Sequence, residues 1–337
     1  TVFINGDEVS SNQVNLQSVI STKAARCFWA AHGRSVADLS LRRTHGVDAG
    51  MKAARSSYMA GFQATSNVLA GKAYGIPVTG TMAHSYVTSF ESELESFRAF
   101  AKSFPETSVL LLDTYDTIAA ASKAAVVAHE MEAQGHKLRG VRLDSGDLLE
   151  LSRQVRQTLD QAGLDYVLIL ASGGLDEFEV EKLVKAGAPI DGFGVGTRMG
   201  VSGDAPWLDM AYKLVRYAGR PVLKLSTGKV SLADEKQVFR LWDSRGRLRG
   251  DVISLSDEPA PEHNAEALLE TFMEEGRLIK PMPPLGEMRG RFQRDFSALD
   301  DRFKGLKKAH KYPVRLSRRL RSLQQEMERE AEVAEVL

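Results

Sequence analysis

Residues 140–174 read GVRLDSGDLLELSRQVRQTLDQAGLDYVLILASGG, and this stretch decides the fold class. Short apolar runs of strand length stand near its two ends, at 140–144 and 166–171. Between them, apolar residues recur at helical spacing over 148–162, and Gly163 then predicts the end of a helix. A strand, a helix and a second strand in this order predict a right-handed βαβ unit with parallel strands.

The same alternation continues on both sides of this stretch. A second helical pattern covers 177–185 and ends before Gly187, and residues 88–91 (Thr-Ser-Phe-Glu) predict a capping box that opens another helix. Repeated strands and helices of this size predict an α/β fold, either an open doubly wound sheet or a closed parallel barrel. The other strand-like runs lie at 36–41, 78–81, 109–113 and 191–195, with 222–225 as a weaker candidate.

We predict three regions along the chain. Residues 1–33 form a helical lead-in, built on an amphipathic helix at 12–31, and residues 34–225 form the catalytic α/β domain. Residues 226–337 form a smaller flanking α+β domain, because strand-like runs follow one another there without helices between them. These runs lie at 229–233 and 238–242, and a turn is predicted at 244–246.

The composition is that of an ordinary globular protein. Its 44 Lys and Arg residues balance 44 Asp and Glu residues, which argues against a nucleic-acid partner. The single cysteine, Cys27, excludes an intramolecular disulfide and a cysteine-based zinc site, and it favours the cytoplasm. No apolar run has the length of a membrane span, so no membrane partner is expected. The sequence starts at Thr1 without a methionine, and we expect it to begin partway into a longer protein.

Polar residues and glycines follow nearly every predicted strand. The carboxyl ends of parallel strands share one face of a sheet, so this pattern predicts an enzyme active site there. Two glycine-containing loops after the last strands predict a phosphate site, because glycine lets backbone N–H groups approach an oxyanion closely. Tight turns that need glycine for steric reasons alone are the alternative. The residues concerned are Arg42, Arg43, His84, Asp113, Asp116, Arg142, Asp144, Asp147, Ser172, Gly173, Gly174, Gly194, Gly196 and Thr197.

The charged residues of this set suggest specific chemistry. Arg142 can pair with phosphate oxygens, and Asp144 and Asp147 can hold ribose hydroxyls or share a Mg²⁺ that sits on substrate phosphates. A structural Arg–Asp pair, with Asp147 as a helix N-cap, is the alternative. We expect His84 to pair with Asp113, since a carboxylate that accepts from one ring nitrogen leaves the other nitrogen available.

Five motifs carry a family resemblance. They read VTGTMAHS at 78–85, LLDTYDT at 111–117, GVRLDSGD at 140–147, ASGGLDE at 171–177 and GFGVGT at 192–197. In this order they closely resemble the motifs of nicotinate phosphoribosyltransferases, which are type II phosphoribosyltransferases. The similarity extends over most of the chain.

The resemblance implies transfer of a phosphoribosyl group from phosphoribosyl diphosphate to the ring nitrogen of nicotinate. The products are nicotinate mononucleotide and diphosphate, ATP hydrolysis stimulates the reaction, and the step belongs to NAD salvage. The resemblance also implies an irregular, TIM-like parallel α/β barrel with a flanking domain, in a homodimer with shared active sites. Mg²⁺ would act through the diphosphate, ATP would be a co-substrate, and no zinc is expected.

The resemblance also implies roles for individual residues. His84 aligns with the histidine that ATP phosphorylates, Asp113 with its orienting acid, and Arg142 and Asp144 with groups on the phosphoribosyl moiety. Asp144 and Asp147 are the candidate Mg²⁺ carboxylates. The expected 5′-phosphate residues are Ser172, Gly173, Gly174, Gly194, Gly196 and Thr197, and the expected nicotinate residues are Arg42, Thr65 and Ser66.

Three other functions are open at this point. Nicotinamide phosphoribosyltransferases resemble this chain but carry an acid at the position of Ser66, which would repel a carboxylate. Quinolinate phosphoribosyltransferase activity is a second alternative. A truncated, non-catalytic paralogue that binds a sugar phosphate or a partner is the third. Leu39 motivates it, because the family typically has a pyridine-stacking aromatic residue there, and so does a family segment that we do not find ahead of residue 12.

Overall fold

The computed structural model describes residues 3–226 and 230–336. The chain divides into two compact units. Asn12–Leu208 form the larger unit, and Thr1–Ser11 with Asp209–Leu337 form the smaller one. These boundaries differ from the predicted ones, because most of the predicted lead-in groups with the α/β unit and residues 209–225 group with the smaller unit.

A six-stranded parallel sheet forms the centre of the larger unit. Its strands are β1 (Ser35–Asp38), β2 (Ala64–Thr65), β3 (Val109–Leu111), β4 (Gly140–Leu143), β5 (Leu168–Ala171) and β6 (Gly192–Val195). The strand order is β2-β1-β6-β5-β4-β3, and the sheet curls into part of a barrel with β2 and β3 at its edges. The predicted parallel α/β barrel class is confirmed.

Helices follow the strands, as the alternation predicts. Residues 109–112, on and directly after β3, are fully or nearly fully buried. No helix within residues 3–226 and 230–336 is long and apolar enough to cross a membrane. The helices of this part of the chain are α1 (Phe3–Ala30), α2 (Val47–Met59), α3 (Val68–Tyr74), α4 (His84–Val87), α5 (Glu93–Ser103), α6 (Thr117–Glu132), α7 (Leu148–Gln161), α8 (Glu177–Lys185) and α9 (Thr197–Gly200).

Aspartate caps fix where three of these helices begin. The side chains of Asp116, Asp147 and Asp176 accept hydrogen bonds from backbone N–H groups in the first turns of α6, α7 and α8. Each such cap is worth about 1 kcal/mol to the helix that it starts. Since each aspartate closely follows a strand, the caps also set where the loops at the carboxyl ends of the sheet stop.

The predicted capping box at 88–91 is wrong. Thr88 is the C-cap of α4, and residues 89–92 form turns and bends. Helix α5 begins four residues later than expected, where the Ser92 side chain accepts from the Glu95 backbone N–H. Residues 92–95 (Ser-Glu-Leu-Glu) have the same Ser/Thr-x-x-Glu pattern as 88–91. The short helix α4, which was not predicted, ends at Thr88 and so prevents a helix from starting there.

The strands predicted at 78–81 and 222–225 are also wrong, and so is the described part, 230–233, of the strand predicted at 229–233. In 78–81 only Val78 pairs, as an isolated bridge to Thr65, and the second strand of the sheet is the two-residue β2, which is too short to give a periodic pattern. Residues 222–225 lie outside any strand, after a two-residue hairpin. Residues 230–233 are not in a strand, and residue 229 lies outside the described residues.

The smaller unit is built on a four-stranded sheet of order β11-β9-β10-β14. Phe239, Leu241 and Val252 form its buried centre. The strand predicted at 238–242 is confirmed within β9, and the predicted turn at 244–246 joins β9 to β10. Its elements are β7 (Arg216–Tyr217), β8 (Arg220–Pro221), β9 (Lys236–Trp242), β10 (Leu248–Leu255), β11 (Ala265–Ala267), β12 (Met273–Glu274), β13 (Arg277–Leu278), α10 (Leu285–Ala298), β14 (Val314–Leu316) and α11 (Arg318–Val336).

Candidate active site

His84 lies at the carboxyl-terminal face of the parallel sheet, at the start of α4. Its Nδ1 lies 3.1 Å from the Thr114 hydroxyl, and its Nε2 lies 3.8 Å from Oδ2 of Asp144. The imidazole is 44% exposed, so a ligand can reach it. The Asp144 carboxylate favours a proton on Nε2, which leaves the Nδ1 lone pair to accept from the Thr114 hydroxyl.

The expected pairing of His84 with Asp113 is not what the structure shows. Oδ2 of Asp113 accepts from the Ser145 hydroxyl, and its buried Oδ1 has no hydrogen-bond partner among the described residues. Asp144, one strand further along the sheet, is the carboxylate that faces the imidazole. Strand ends in a parallel sheet lie only about 4.8 Å apart, so sequence alone does not decide between two acids on adjacent strands.

Asp144 also joins the end of β4 to the glycine loop after β5. Its Oδ1 accepts from the Ser172 hydroxyl, and the Ser172 N–H donates to the Leu143 carbonyl at 2.8 Å. A Cβ at Gly173 would overlap the Asp144 carbonyl oxygen, and Gly173 has a φ of 91°. Glycine is therefore required at this position, and the loop lies directly against the carboxylate that faces His84.

Arg142 presents a half-buried positive charge between these loops. Burial lowers the pKa of its guanidinium, the Asp144 and Asp113 carboxylates oppose that shift, and the like charge of Arg42 adds to it. The Nε of Arg142 is buried, and no described residue accepts a hydrogen bond from it. A buried donor without an acceptor is costly, and an anion at this point would satisfy it.

Gly194, within β6, and Gly196, directly after it, both pack closely against Leu39. A Cβ at Gly194 would overlap the Leu39 side chain, and one at Gly196 would lie 2.8 Å from the Leu39 carbonyl oxygen. The steric alternative therefore applies to Gly196, where the obstacle is a backbone atom, whereas the end of the Leu39 side chain beside Gly194 can move. Thr197 is connected differently, because its hydroxyl lies 3.1 Å from Nη1 of Arg43.

A buried carboxylate, Asp38, connects the two segments that carry the predicted nicotinate residues. Thr65 is buried, its hydroxyl donates to Asp38 at 2.7 Å, and it accepts from the Asn67 N–H at 3.0 Å. The proton of this hydroxyl is therefore committed to Asp38, and the part of Thr65 in nicotinate binding stays a prediction. Ser66 is half-buried and Arg42 is exposed.

Asp147 takes the structural role that was its alternative. Its Oδ1 accepts from the N–H groups of Leu149 and Glu150 as the N-cap of α7. Among the residues described, no group of three or more His, Cys, Asp or Glu side chains could hold a metal ion. Mg²⁺ is often held by one or two carboxylates and substrate phosphates. Asp144 fits such a diphosphate-borne ion, whereas an ion held by protein side chains alone does not fit.

A cavity of about 740 Å³ opens along the inner face of the sheet. Its walls at the carboxyl ends include Leu39, Arg142, Ser172 and Gly194. A volume of this size is typical of sites for small ligands and cofactors. Three residues predicted to contact the phosphoribosyl group therefore border the same space as Leu39, which is at the position expected to stack on a pyridine: Arg142, Ser172 and Gly194.

Two family models match the chain. Residues 34–228 match the model described as the nicotinate phosphoribosyltransferase (NAPRTase) family, and residues 262–324 match the nicotinate phosphoribosyltransferase C-terminal domain. The first match alone covers more than half of the chain. The chain belongs to the nicotinate phosphoribosyltransferase family.

Nicotinate phosphoribosyltransferases from several organisms are similar to this chain. Nicotinate phosphoribosyltransferase pncB2 of Mycobacterium tuberculosis is 47% identical over 311 residues, which cover 92% of this chain and 66% of that protein. The Bacillus subtilis nicotinate phosphoribosyltransferase is 35% identical over 333 residues, with 91% and 68% covered. The crystal structure of human nicotinic acid phosphoribosyltransferase has a TM-score of 0.80 at 29% identity, covering 93% of this chain and 75% of that one. The chain thus spans about two thirds of the length of these curated relatives.

Several residues of this family site were not predicted from the sequence. The Thr114 hydroxyl lies beside His84, and the Ser145 hydroxyl donates to Asp113. Only the charged members of their motifs stand out in the sequence. Asp38 and Ser40 hydrogen-bond to each other at the end of β1, and Asp38 also accepts from Thr65. Thr114 and Ser145 follow buried strands, but an uncharged hydroxyl gives only a weak signal there. Asp38 and Ser40 fall inside the strand predicted at 36–41, where polar residues gave no sign of a site.

Proposed function

We propose that this chain transfers phosphoribosyl from phosphoribosyl diphosphate to nicotinate, giving nicotinate mononucleotide and diphosphate. The arrangement of Arg142, Asp144, Ser172 and His84 at one end of the sheet carries the proposal. It combines a buried guanidinium Nε, which has no acceptor among the described residues, with a carboxylate, a glycine loop and an accessible imidazole. Family membership supports the same reaction.

The proposed reaction needs binding and charge more than proton transfer. The pyridine nitrogen forms a bond to C1 of the ribose while the bond from C1 to diphosphate breaks, so the pyridine needs no general base. Holding the reactants in line and stabilising the departing charge then supply the catalysis. Arg142 would bind a phosphoribosyl oxygen, and the loop at 172–174 would hold the 5′-phosphate. Mg²⁺ on the diphosphate would neutralise charge, with Asp144 as its protein ligand.

ATP would act through His84. Transfer of the γ-phosphoryl group to a ring nitrogen breaks its bond to ADP and adds negative charge beside Asp144 and the diphosphate site. The phosphoryl group leaves as phosphate when water hydrolyses the phosphohistidine. In this proposal, a phosphorylated His84 changes the affinity for phosphoribosyl diphosphate, so ATP stimulates the reaction without being strictly required. We also infer a cytoplasmic homodimer with shared active sites.

The choice of pyridine rests on Arg42 and Ser66. A guanidinium and a hydroxyl can both donate to the nicotinate carboxylate. An acid at position 66 would instead repel that carboxylate and accept from an amide. We therefore propose nicotinate over nicotinamide, and over quinolinate, whose second carboxylate has no assigned partner in this site.

A competition assay tests this function. The purified chain is given phosphoribosyl diphosphate, Mg²⁺ and equal amounts of nicotinate, nicotinamide and quinolinate, and the mononucleotides are separated and quantified. We expect nicotinate mononucleotide to dominate, and Ser66→Asp to shift the ratio towards nicotinamide. Turnover of another pyridine in preference to nicotinate would contradict the proposed function. An unchanged product ratio in Ser66→Asp would contradict the role of Ser66.

A further inference from the structure

Asp38 is a buried acid that none of the expected roles includes. It ends β1, it is 1% exposed, and both of its carboxylate oxygens are hydrogen-bonded. Oδ1 accepts from the Ser40 N–H at 2.9 Å and from the Ser40 hydroxyl at 2.6 Å, and Oδ2 accepts from the Thr65 hydroxyl at 2.7 Å. Three donors, two from Ser40 after β1 and one from Thr65 in β2, therefore converge on one carboxylate.

The Ser40 contacts lead to Arg42. Ser40 is the N-cap residue of the short 3-10 helix Leu41–Arg43, and the Arg43 N–H donates to the Ser40 carbonyl at 2.9 Å. Fixing Ser40 against Asp38 therefore fixes the start of the turn that carries Arg42.

The Thr65 contact leads to Ser66. The Ser66 N–H donates to the Asp38 backbone carbonyl at 2.8 Å, and the Asn67 N–H donates to the Thr65 hydroxyl at 3.0 Å. Ser66 is thus held on both sides, through its own backbone and through Thr65. Asp38 is the residue that this loop and the Arg42 turn share.

We infer that Asp38 is a positioning residue that sets the separation of the Arg42 guanidinium and the Ser66 hydroxyl, and so controls recognition of the pyridine carboxylate. The inference rests on the proposed function, in which these two groups contact nicotinate. Two donors read one carboxylate only when their spacing matches it, and a small displacement of such a group costs much of its effect. Asparagine at position 38 would turn one acceptor atom into a donor and leave the Thr65 hydroxyl proton without its acceptor.

Two variants test the two connections one at a time, and a third disturbs both together. Thr65→Val removes the donor on the Ser66 side, Ser40→Ala removes a donor on the Arg42 side, and Asp38→Asn disturbs both. The control is Glu93→Gln, which changes another buried acid, one that pairs with Lys123 at 2.9 Å on helices α5 and α6. The measurement is the KM for nicotinate and the KM for phosphoribosyl diphosphate, determined for every variant beside the wild-type chain.

We expect Thr65→Val and Asp38→Asn to raise the nicotinate KM by about tenfold or more while the phosphoribosyl diphosphate KM stays unchanged. Ser40→Ala should act in the same direction, and Glu93→Gln should change neither KM. A nicotinate KM that does not move, or two KM values that rise together, would overturn the positioning role alone. A wild-type chain that does not convert nicotinate would overturn the proposed function and this inference together, so the two failures are distinguishable.

Discussion

The Arg142 side chain shows most directly how single residues prepare this site for an anion. A buried N–H without an acceptor costs about 1–3 kcal/mol, and Nε of Arg142 has no acceptor within residues 3–226 and 230–336. The neighbouring Asp113 has a buried oxygen that likewise lacks a partner in this part of the chain. Folding has therefore left a donor and an acceptor on adjacent strands for a polar ligand, and the binding of that ligand would recover the cost.

Replacing the guanidinium should weaken the ligand more than the fold. We expect Arg142→Ala to weaken phosphoribosyl diphosphate binding by about 1.5 to 3 kcal/mol, because it removes a charged hydrogen bond. Calorimetric titration of the purified chain with that ligand measures the change. The matched control is Arg139→Ala. Arg139 directly precedes the amino-terminal end of β4, the strand that carries Arg142 near its carboxyl-terminal end. Equal affinities in the wild type and Arg142→Ala would return Arg142 to a structural role.

Asp38 should leave a signature in the pH dependence of stability. Burial raises the pKa of its carboxyl, against the hydrogen bonds from Ser40 and Thr65. The folded chain therefore holds the carboxyl proton of Asp38 more tightly than the unfolded chain does. The stability contributed by the protonated carboxyl is complete below the unfolded pKa of about 3.9, and it is lost as the pH rises through the higher folded pKa.

The comparison with Asp38→Asn isolates this effect. We expect the unfolding free energy of the wild type, minus that of Asp38→Asn, to fall as the pH rises from about 4 upwards. Urea unfolding of both proteins at a series of pH values measures the difference. A difference that is flat or that grows with pH would show that burial does not dominate the titration of this group.

At the scale of the elements, the loop after β5 is constrained both by the positive φ of its two glycines and by close contact with the backbone of Asp144. Gly173 and Gly174 both have positive φ, at 91° and 66°, but only a Cβ at Gly173 meets other atoms. We expect Gly174→Ala to cost about 1–2 kcal/mol from backbone strain, and Gly173→Ala to cost clearly more because the Asp144 carbonyl must also move. Urea unfolding compares the two variants, and equal costs would contradict the close approach of the loop to β4.

The start of α7 separates two roles for Asp147. Asparagine caps a helix about as well as aspartate but carries no charge, whereas alanine does neither. If capping is the main role, Asp147→Asn should keep the stability and the phosphoribosyl transfer rate, and Asp147→Ala should lose about 1 kcal/mol of stability. Thermal unfolding and a turnover assay test this. A large loss of turnover in Asp147→Asn at unchanged stability would restore its candidate role at Mg²⁺.

For the whole molecule, the sequence predicts the larger unit better than the smaller one. The βαβ pattern at 140–174 predicts β4, α7 and β5 closely, because long amphipathic helices and buried strands leave periodic patterns. Strand β2 has two residues and gives no period, so the run at 78–81 was taken for it. In the smaller unit, β9 was predicted, whereas the two-residue pairs β7–β8 and β12–β13 have no comparable signal.

The site divides in the same way. Sequence order places Arg42, His84, Asp113, Arg142 and Asp144 after strands, and that placement alone predicts a shared face. It does not predict which acid faces His84, because that choice depends on side-chain directions on adjacent strands. Nor does it predict that Thr65 is committed to Asp38, since a hydroxyl on a loop gives no sign of its partner in the sequence.

The central claim is that this chain carries out ATP-stimulated phosphoribosyl transfer to nicotinate, with His84 as the phosphorylated residue. Its most direct test is nicotinate mononucleotide formation from nicotinate and phosphoribosyl diphosphate, with and without ATP, by the wild-type chain and by His84→Ala. We predict product formation that ATP stimulates in the wild type, and a slower reaction in His84→Ala that ATP leaves unchanged. No product from the wild type, or full ATP stimulation in His84→Ala, would contradict the account.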